Sequence, residues 1–276
     1  MTSTNNRIVL VTGSTDGIGL QTAKDLMEMG ARVIIHGRNE ERSQVAVEKI
    51  LNKNSNSKVE FVVGDFSSLK EIHRLSVDLH NRFHCIDVLI NNAGVYMNGR
   101  ELSHDGYEQT FAINHLSHFL LTGLLMDLIT KSEYARIINV ASMAHADLLE
   151  FENLQGENYY DGYDAYSRSK LCNILFTYKL ARKLEGTPIT ANVLHPGVIS
   201  TKLLHEGWGS GGTHLSQGSK TSVYLAASPD VENSSGKYFS NQRQTKSARI
   251  SYDLTVQDRL WTESEKLVGF SYYNIG

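Results

Sequence analysis

The chain has 276 residues, 41% hydrophobic and 21% charged, with 3 Pro, a profile that speaks against disorder and allows a sizeable core. A formal net charge of −3, with Lys and Arg scattered along the chain, leaves no basic footprint for nucleic acid. Cys85 and Cys172 are far apart and outside any Cys-x-x-Cys, so neither a disulfide framework nor a zinc site is indicated. No run approaches the roughly 18 apolar residues of a membrane span, and the polar opening from Met1 to Arg7 is read as free of a targeting stretch. These bounds predict a cytoplasmic protein with a small-molecule partner and no integral membrane segment; a homo-oligomer stays open.

The first apolar run, Ile8 to Val11, leads into Thr12-Gly13-Ser14-Thr15-Asp16-Gly17-Ile18-Gly19 and then a helical pattern at Ala23, Leu26 and Met27. A glycine turn between a strand and a helix is the context of a dinucleotide fingerprint. Glycine lets the backbone approach a pyrophosphate, and the helix N-terminus offers free N–H groups and partial positive charge. A plain tight turn is the competing reading. Further runs follow at Val33 to Ile35, Val59 to Val63, Ile86 to Ile90, Ile137 to Val140 and Ile189 to Leu194, separated by helical stripes such as Leu69, Ile72, Leu75 and Leu79. Such runs, apolar nearly throughout, predict parallel strands covered on both faces. Longer helices are expected from about Tyr107 to Ile129 and Ala165 to Leu184, and a short last strand at Tyr238-Phe239. The fold class is therefore α/β, one doubly wound parallel sheet of Rossmann type with helices on both faces, as a single domain over residues 1–276. From Val198 to Leu215, Gly207, Gly209, Gly211 and Gly212 surround Trp208, a composition that suggests a mobile lid, with an ordinary surface loop as the competing reading.

Tyr166 and Lys170 are four residues apart, which puts both on one helical face. An ammonium fixed there can stabilise a phenolate, and among the nearby tyrosines of that region only Tyr166 has a lysine at the fourth place. His115 and His118 share a helical face, but no third ligand accompanies them, so packing rather than metal binding is expected. His145, soon after Ser142, is placed to line a substrate pocket.

With the glycine turn, Asn91-Asn92-Ala93-Gly94, Ser142 and Tyr166-x-x-x-Lys170 in this order, the chain resembles the short-chain dehydrogenase/reductase family from Arg7 to about Phe239. The resemblance implies Ser142, Tyr166 and Lys170 as catalytic residues, with Asn114 as the fourth. It implies cofactor contacts at Gly13, Ser14, Asp16, Gly17, Ile18 and Gly19, at Asp65 and Phe66 beside the adenine, at Asn92, Ala93 and Gly94, and at Pro196, Gly197 and Thr201 near the nicotinamide. The segments Asn114 to Thr122, Asn153 to Gly156 and Ser169 to Asn173 are similar to the branch of retinol dehydrogenases and the WW-domain oxidoreductase. Two features depart from that branch and weigh against a retinoid substrate: no membrane anchor is found, and Asp16 stands where the glycine loop usually holds a neutral residue.

The expected reaction is hydride exchange between a nicotinamide and a mostly apolar carbonyl or alcohol, with Tyr166 handling the proton and Ser142 bonding the oxygen. An unperturbed tyrosine titrates near 10, so a phenolate near neutrality needs about 4 kcal/mol of help, which Lys170 and an oxidised nicotinamide are expected to supply. Lys170 should also hold the ribose, and Asn114 a proton-relaying water. NADP(H) is expected over NAD(H), because His36-Gly37-Arg38 offers no carboxylate for ribose hydroxyls while Arg38 can pair with a 2′-phosphate. Substrate specificity is assigned to the segments 145–163 and 198–215 through His145, Tyr163 and Trp208. A dinucleotide-binding sensor of the same fold that turns over weakly is the alternative.

Overall fold

The computed structural model describes residues 6–52 and 58–272; residues 1–5 of the polar opening lie outside them. The strands are β1 (Ile8–Val11), β2 (Arg32–Gly37), β3 (Val59–Val63), β4 (Val88–Asn91), β5 (Arg136–Val140), β6 (Thr190–His195), β7 (Tyr238–Ser240) and β8 (Arg243–Thr245). They form one sheet in the order β3-β2-β1-β4-β5-β6-β7-β8. All neighbours are parallel except β7 with β8. The helices are α1 (Gly17–Glu28), α2 (Glu40–Leu51), α3 (Leu69–Arg82), α4 (Gln109–Phe111), α5 (Ser117–Leu124), α6 (Met126–Ile129), α7 (Gly162–Lys183), α8 (Lys202–Trp208), α9 (Leu215–Gly218), α10 (Lys220–Ala227) and α11 (Leu254–Val268).

Strand residues alternate between the two faces of a sheet. Ile8 and Leu10 of β1 pack with Leu75 and Leu79 of α3, Phe119 of α5 and Leu171 of α7. Val9 and Val11 pack on the other side with Ala23 and Leu26 of α1, Ala46 and Ile50 of α2 and Leu225 of α10. Both faces are thus dry, which is why the strands read as continuous apolar runs.

Side-chain caps set several helix starts. Asn39 Oδ1 accepts from Arg42 N at 2.9 Å, and Asp161 Oδ1 accepts from Tyr163 N at 2.9 Å and Asp164 N at 3.0 Å. The Asp161 cap starts α7 at Gly162, three residues before the apolar pattern suggests. The continuous helix expected over Tyr107 to Ile129 is broken instead into α4, a π-helical turn at Ala112–Leu116, α5 and α6. Strand β8 and helix α11 were not anticipated. Helix α11 lays Trp261 against Phe119 (5.1 Å between ring centres), Phe176 (5.8 Å) and Tyr272 (4.6 Å).

The strand order reverses between β1 and β4, the switch point beyond whose carboxyl ends a doubly wound sheet leaves a crevice. Among the described residues, no helix is long and apolar enough to cross a membrane.

Candidate active site

At that switch point lies a cleft of about 1240 Å³. Its base is the glycine turn after β1. Gly13 and Gly17 have φ of 60° and 58°, a left-handed conformation that glycine adopts without strain. A Cβ on Gly13 would stand 2.7 Å from Ala93 Cα, and one on Gly19 would collide with Gly13 O and Asn92 Nδ2. The turn therefore packs backbone against the end of β4. Asn92 Nδ2 donates to Thr12 O at 2.8 Å, and Thr12 Oγ1 accepts from Asn92 N at 2.9 Å and Ala93 N at 3.0 Å. Gly13, Asp16, Gly17, Ile18 and Gly19 line the cleft. Ser14 does not: buried behind the turn, it donates to Val11 O at 2.6 Å and accepts from His36 N at 3.0 Å. Its expected cofactor contact becomes a supporting role, because its hydroxyl is spent on the chain.

Asp16 caps α1 through Gly17 N at 2.8 Å and pairs with Lys202 Nζ at 2.6 Å. The Lys202 hydrogen bond, with that from Gly17 N, holds its carboxyl below the usual range. The acidic residue in the glycine turn thus faces a cation from α8.

At the end of β2, Arg38 lines the cleft with Asp65 and Phe66. His36, read from sequence only as a missing carboxylate, connects this end to the glycine turn. Its Nδ1 accepts from Gly13 N at 3.1 Å and its Nε2 donates to Gly64 O at 3.0 Å. The ring stacks on Phe66 at 4.2 Å. Burial pushes its pKa down to about 4, so it is neutral at pH 7.

The other end brings Ser142, Tyr166 and Lys170 together with Pro196, Gly197 and Thr201. Tyr166 and Ser142 are 6% and 8% exposed, so the group is solvent-shielded. Burial pushes the Tyr166 phenol up to about 12, against a hydrogen bond with Ser142 that lowers it. Burial also lowers Lys170 to about 8. Lys170 Nζ donates to Val140 O at 3.2 Å and stands 5.4 Å from the centre of the Tyr166 ring. The spacing of four does put both residues on one face, but the ammonium lies over the ring.

Asn114 sits in the π-helical turn, an irregularity frequent at functional sites. Its Oδ1 accepts from Val95 N at 2.8 Å, and its Nδ2 donates to Val95 O at 3.0 Å and Ser169 Oγ at 2.9 Å. These bonds use both its amide hydrogens, so the side chain ties the strand exit to α7. Its backbone carbonyl accepts from His118 Nδ1 at 3.0 Å, leaving His118 Nε2 to accept from Thr12 Oγ1 at 3.2 Å. Below, Glu108 is fully buried and receives Thr110 N at 2.8 Å and Phe111 N at 2.6 Å. Thr12, His36 and His118 carry no sequence signal for these roles, since each acts through a contact distant in the chain. His115 bonds Ser264 Oγ at 2.8 Å, and among the described residues no three His, Cys, Asp or Glu converge as metal ligands.

The expected substrate segments need correction. Both ring nitrogens of His145 are engaged, Nδ1 donating to Ser142 O at 2.6 Å and Nε2 accepting from Ala248 N at 2.9 Å. His145 braces β5 and does not line the cleft. Tyr163 is 45% exposed and meets the rim only through Trp208. Residues 145–163 buttress another segment: Arg100 Nε donates to Gln155 O at 2.9 Å and Tyr160 OH to Met97 O at 3.1 Å. It is that segment, Tyr96 to Gly99, that lines the cleft, with Met143, Val198, Leu203 and Trp208. The second expected segment is present as α8 and its flanks.

The backbone cradle at Gly13 and Gly19, closed to any Cβ on one side and leading into the N-terminus of α1, fits a dinucleotide pyrophosphate. A family model described as short chain dehydrogenase matches residues 7–208. Human polyprenol dehydrogenase is 38% identical over 96% of this chain and 86% of its own length. Mouse retinol dehydrogenase 14 is 38% identical with the same coverages. Among solved structures, an uncharacterised protein of Mycobacterium paratuberculosis superposes with a TM-score of 0.83 at 29% identity, over 99% of this chain and 97% of its own. The Pseudomonas aeruginosa RhlG/NADP active-site complex superposes with a TM-score of 0.70 at 25% identity, over 86% and 95%.

Proposed function

The chain belongs to the short-chain dehydrogenase family, and from that premise we propose an NADP(H)-dependent oxidoreductase interconverting an apolar carbonyl compound and its alcohol. The observation that carries this reading is the meeting of the glycine turn with Ser142, Tyr166 and Lys170 in one cleft. A bound nicotinamide supplies or takes the hydride; the chain orients it and manages the proton. In the reductive direction Tyr166 donates its proton to the carbonyl oxygen, and Ser142 Oγ–H donates a hydrogen bond to the same oxygen as charge develops there. The phenolate left behind is unfavourable in so buried a place, and the Lys170 ammonium over the ring opposes that cost.

The preference for NADP(H) rests on Arg38 at the end of β2, with no carboxylate in His36-Gly37-Arg38 and a neutral His36 spent on Gly13 and Gly64. The NADP complex of RhlG supports it. An apolar substrate is supported by Met97, Met143, Val198 and Leu203 along the cleft and by the named substrates of the retinol and polyprenol dehydrogenases.

The test measures turnover with NADPH and NADH against aldehydes, ketones and alcohols of graded polarity, retinol included. NADPH should win, with the margin lost in Arg38→Ala, and Tyr166→Phe should lower kcat by about 100-fold or more while NADPH still binds. Equal use of the two cofactors would remove the NADP assignment, and an active Tyr166→Phe the proton donor.

A further inference from the structure

Trp208, the last residue of α8, packs edge-on to Tyr166 and Tyr163 and at a tilt to Tyr96. Its ring centre lies 5.5 Å from Tyr96, 5.5 Å from Tyr166 and 6.0 Å from Tyr163. Tyr96 in turn lies 5.8 Å from Tyr166. Tyr166 thus lies against the rings of both Tyr96 and Trp208, in the cleft that also holds Ser142. Gly207 rests directly on Tyr96: a Cβ there would stand 3.1 Å from two of its ring carbons. The helix itself is weakly held, for none of its seven residues is buried. It is held by the Thr201 cap to Leu204 N, the Ser200–His205 hydrogen bond at 3.0 Å, the Asp16–Lys202 pair, whose side chains are 63% and 82% exposed, the half-buried Leu203 and Leu204, and the ring contacts. Gly209, Gly211 and Gly212, with φ of 80°, 114° and 89°, follow it. An exposed ion pair contributes little and an aromatic pair only modestly. Such an element belongs to the low-stability end of a fold and opens without global unfolding.

We propose that Tyr96 is the seat of an aromatic gate: Trp208 closes over Tyr166 by resting, with Gly207, on the Tyr96 ring, and the space Tyr96 leaves selects carbonyl compounds by bulk. The inference deepens the oxidoreductase reading and rests on it for the substrate. Tyr96 is a specificity-determining residue, lining the channel without taking part in proton transfer.

The chain has two tryptophans; Trp261 is 6% exposed and Trp208 40%, so acrylamide quenching of fluorescence reports the gate. In Tyr96→Ala the seat is gone, and quenching of the NADPH complex should rise. The ratio of kcat/KM for a branched aryl ketone to that for a short aldehyde should rise about tenfold, the scale at which pocket bulk discriminates. Gly207→Ala, on an exposed helix that tolerates it, should push the gate off Tyr96 and raise quenching in the native background but not in Tyr96→Ala. Unchanged quenching in Tyr96→Ala, an unchanged size ratio, or additive effects of the two substitutions would overturn the gate. Quenching needs no turnover, so a protein that consumes no NADPH with any carbonyl would sink the oxidoreductase reading while leaving the gate measurable.

Discussion

Tyr166 is asked to release a proton in a place that resists ionisation. Burial moves its phenol up to about 12, so everything that favours the phenolate has to come from neighbours, and Lys170 is the cation at hand. The same burial lowers Lys170 to about 8, which keeps it protonated below that pH and neutral above it. The consequence is a pH profile: the reductive rate should hold below about pH 8 and fall above it as the ammonium is lost. In Lys170→Arg, whose guanidinium stays charged beyond pH 12 or so, the alkaline fall should disappear even if the overall rate is lower. A wild-type rate that is flat to pH 10 would remove Lys170 from this role. The pairing of Tyr166 with Lys170 is legible from a spacing of four. The second partner of that ammonium, Val140 O at 3.2 Å, lies 30 residues away on β5 and is invisible in the sequence.

At the scale of elements, the break between α4 and α5 shows why the apolar pattern over Tyr107 to Ile129 misleads. Leu, Phe and Ile there mark burial on nearly every side, and burial is satisfied equally by an α- or a π-helical turn. What selects the π turn is the set of polar partners around it: Glu108 below, His118 on the Asn114 carbonyl, and Val95 and Ser169 on its side chain. Asn114→Ala removes three of those hydrogen bonds at once. It should cost about 1–3 kcal/mol, read as a lower urea midpoint. It should also lower kcat, because Val95 adjoins Gly94, which lies against Lys170. A variant with wild-type stability and turnover would show that the turn needs no such clamp. Helix α8 is the opposite case: the sequence marks the segment by its glycines and an aromatic, and its residues line the cleft. The residue it lands on, Tyr96, follows from the tertiary fold alone.

For the molecule as a whole, the polar interior predicts acid sensitivity. His36, His115 and His195 are lowered to about 4 and His118 to about 3, in each case mainly by burial. A group whose folded pKa is depressed adds stability that is complete above its unfolded value, near 6.5, and is lost as pH falls through the folded one. Stability should therefore decline from about pH 6.5 towards pH 4, each such imidazole adding about 1.4 kcal/mol per pH unit to the slope. Urea midpoints across that range measure it, and His115→Gln should flatten the slope by one proton. Midpoints that stay constant from pH 6.5 to 4.5 would mean these rings are hydrated. Cofactor affinity should weaken alongside, since protonated His36 no longer accepts from Gly13 N.

The sequence by itself determined what depends on short range: buried parallel strands from unbroken apolar runs, the glycine turn from three glycines between strand and helix, and the Tyr166–Lys170 pair from helical periodicity. These signals are local because backbone geometry is local. The tertiary structure alone decided which atoms each polar group would spend itself on. It turned Ser14 and His145 inward, where their hydrogen bonds are taken by Val11, His36, Ser142 and Ala248. It moved the cleft wall from residues 145–163 to Tyr96 to Gly99, and it tied the Asn114 side chain to Val95 and Ser169. A buried donor or acceptor must find a partner somewhere in three dimensions, and the identity of that partner is fixed by packing between segments far apart in the chain.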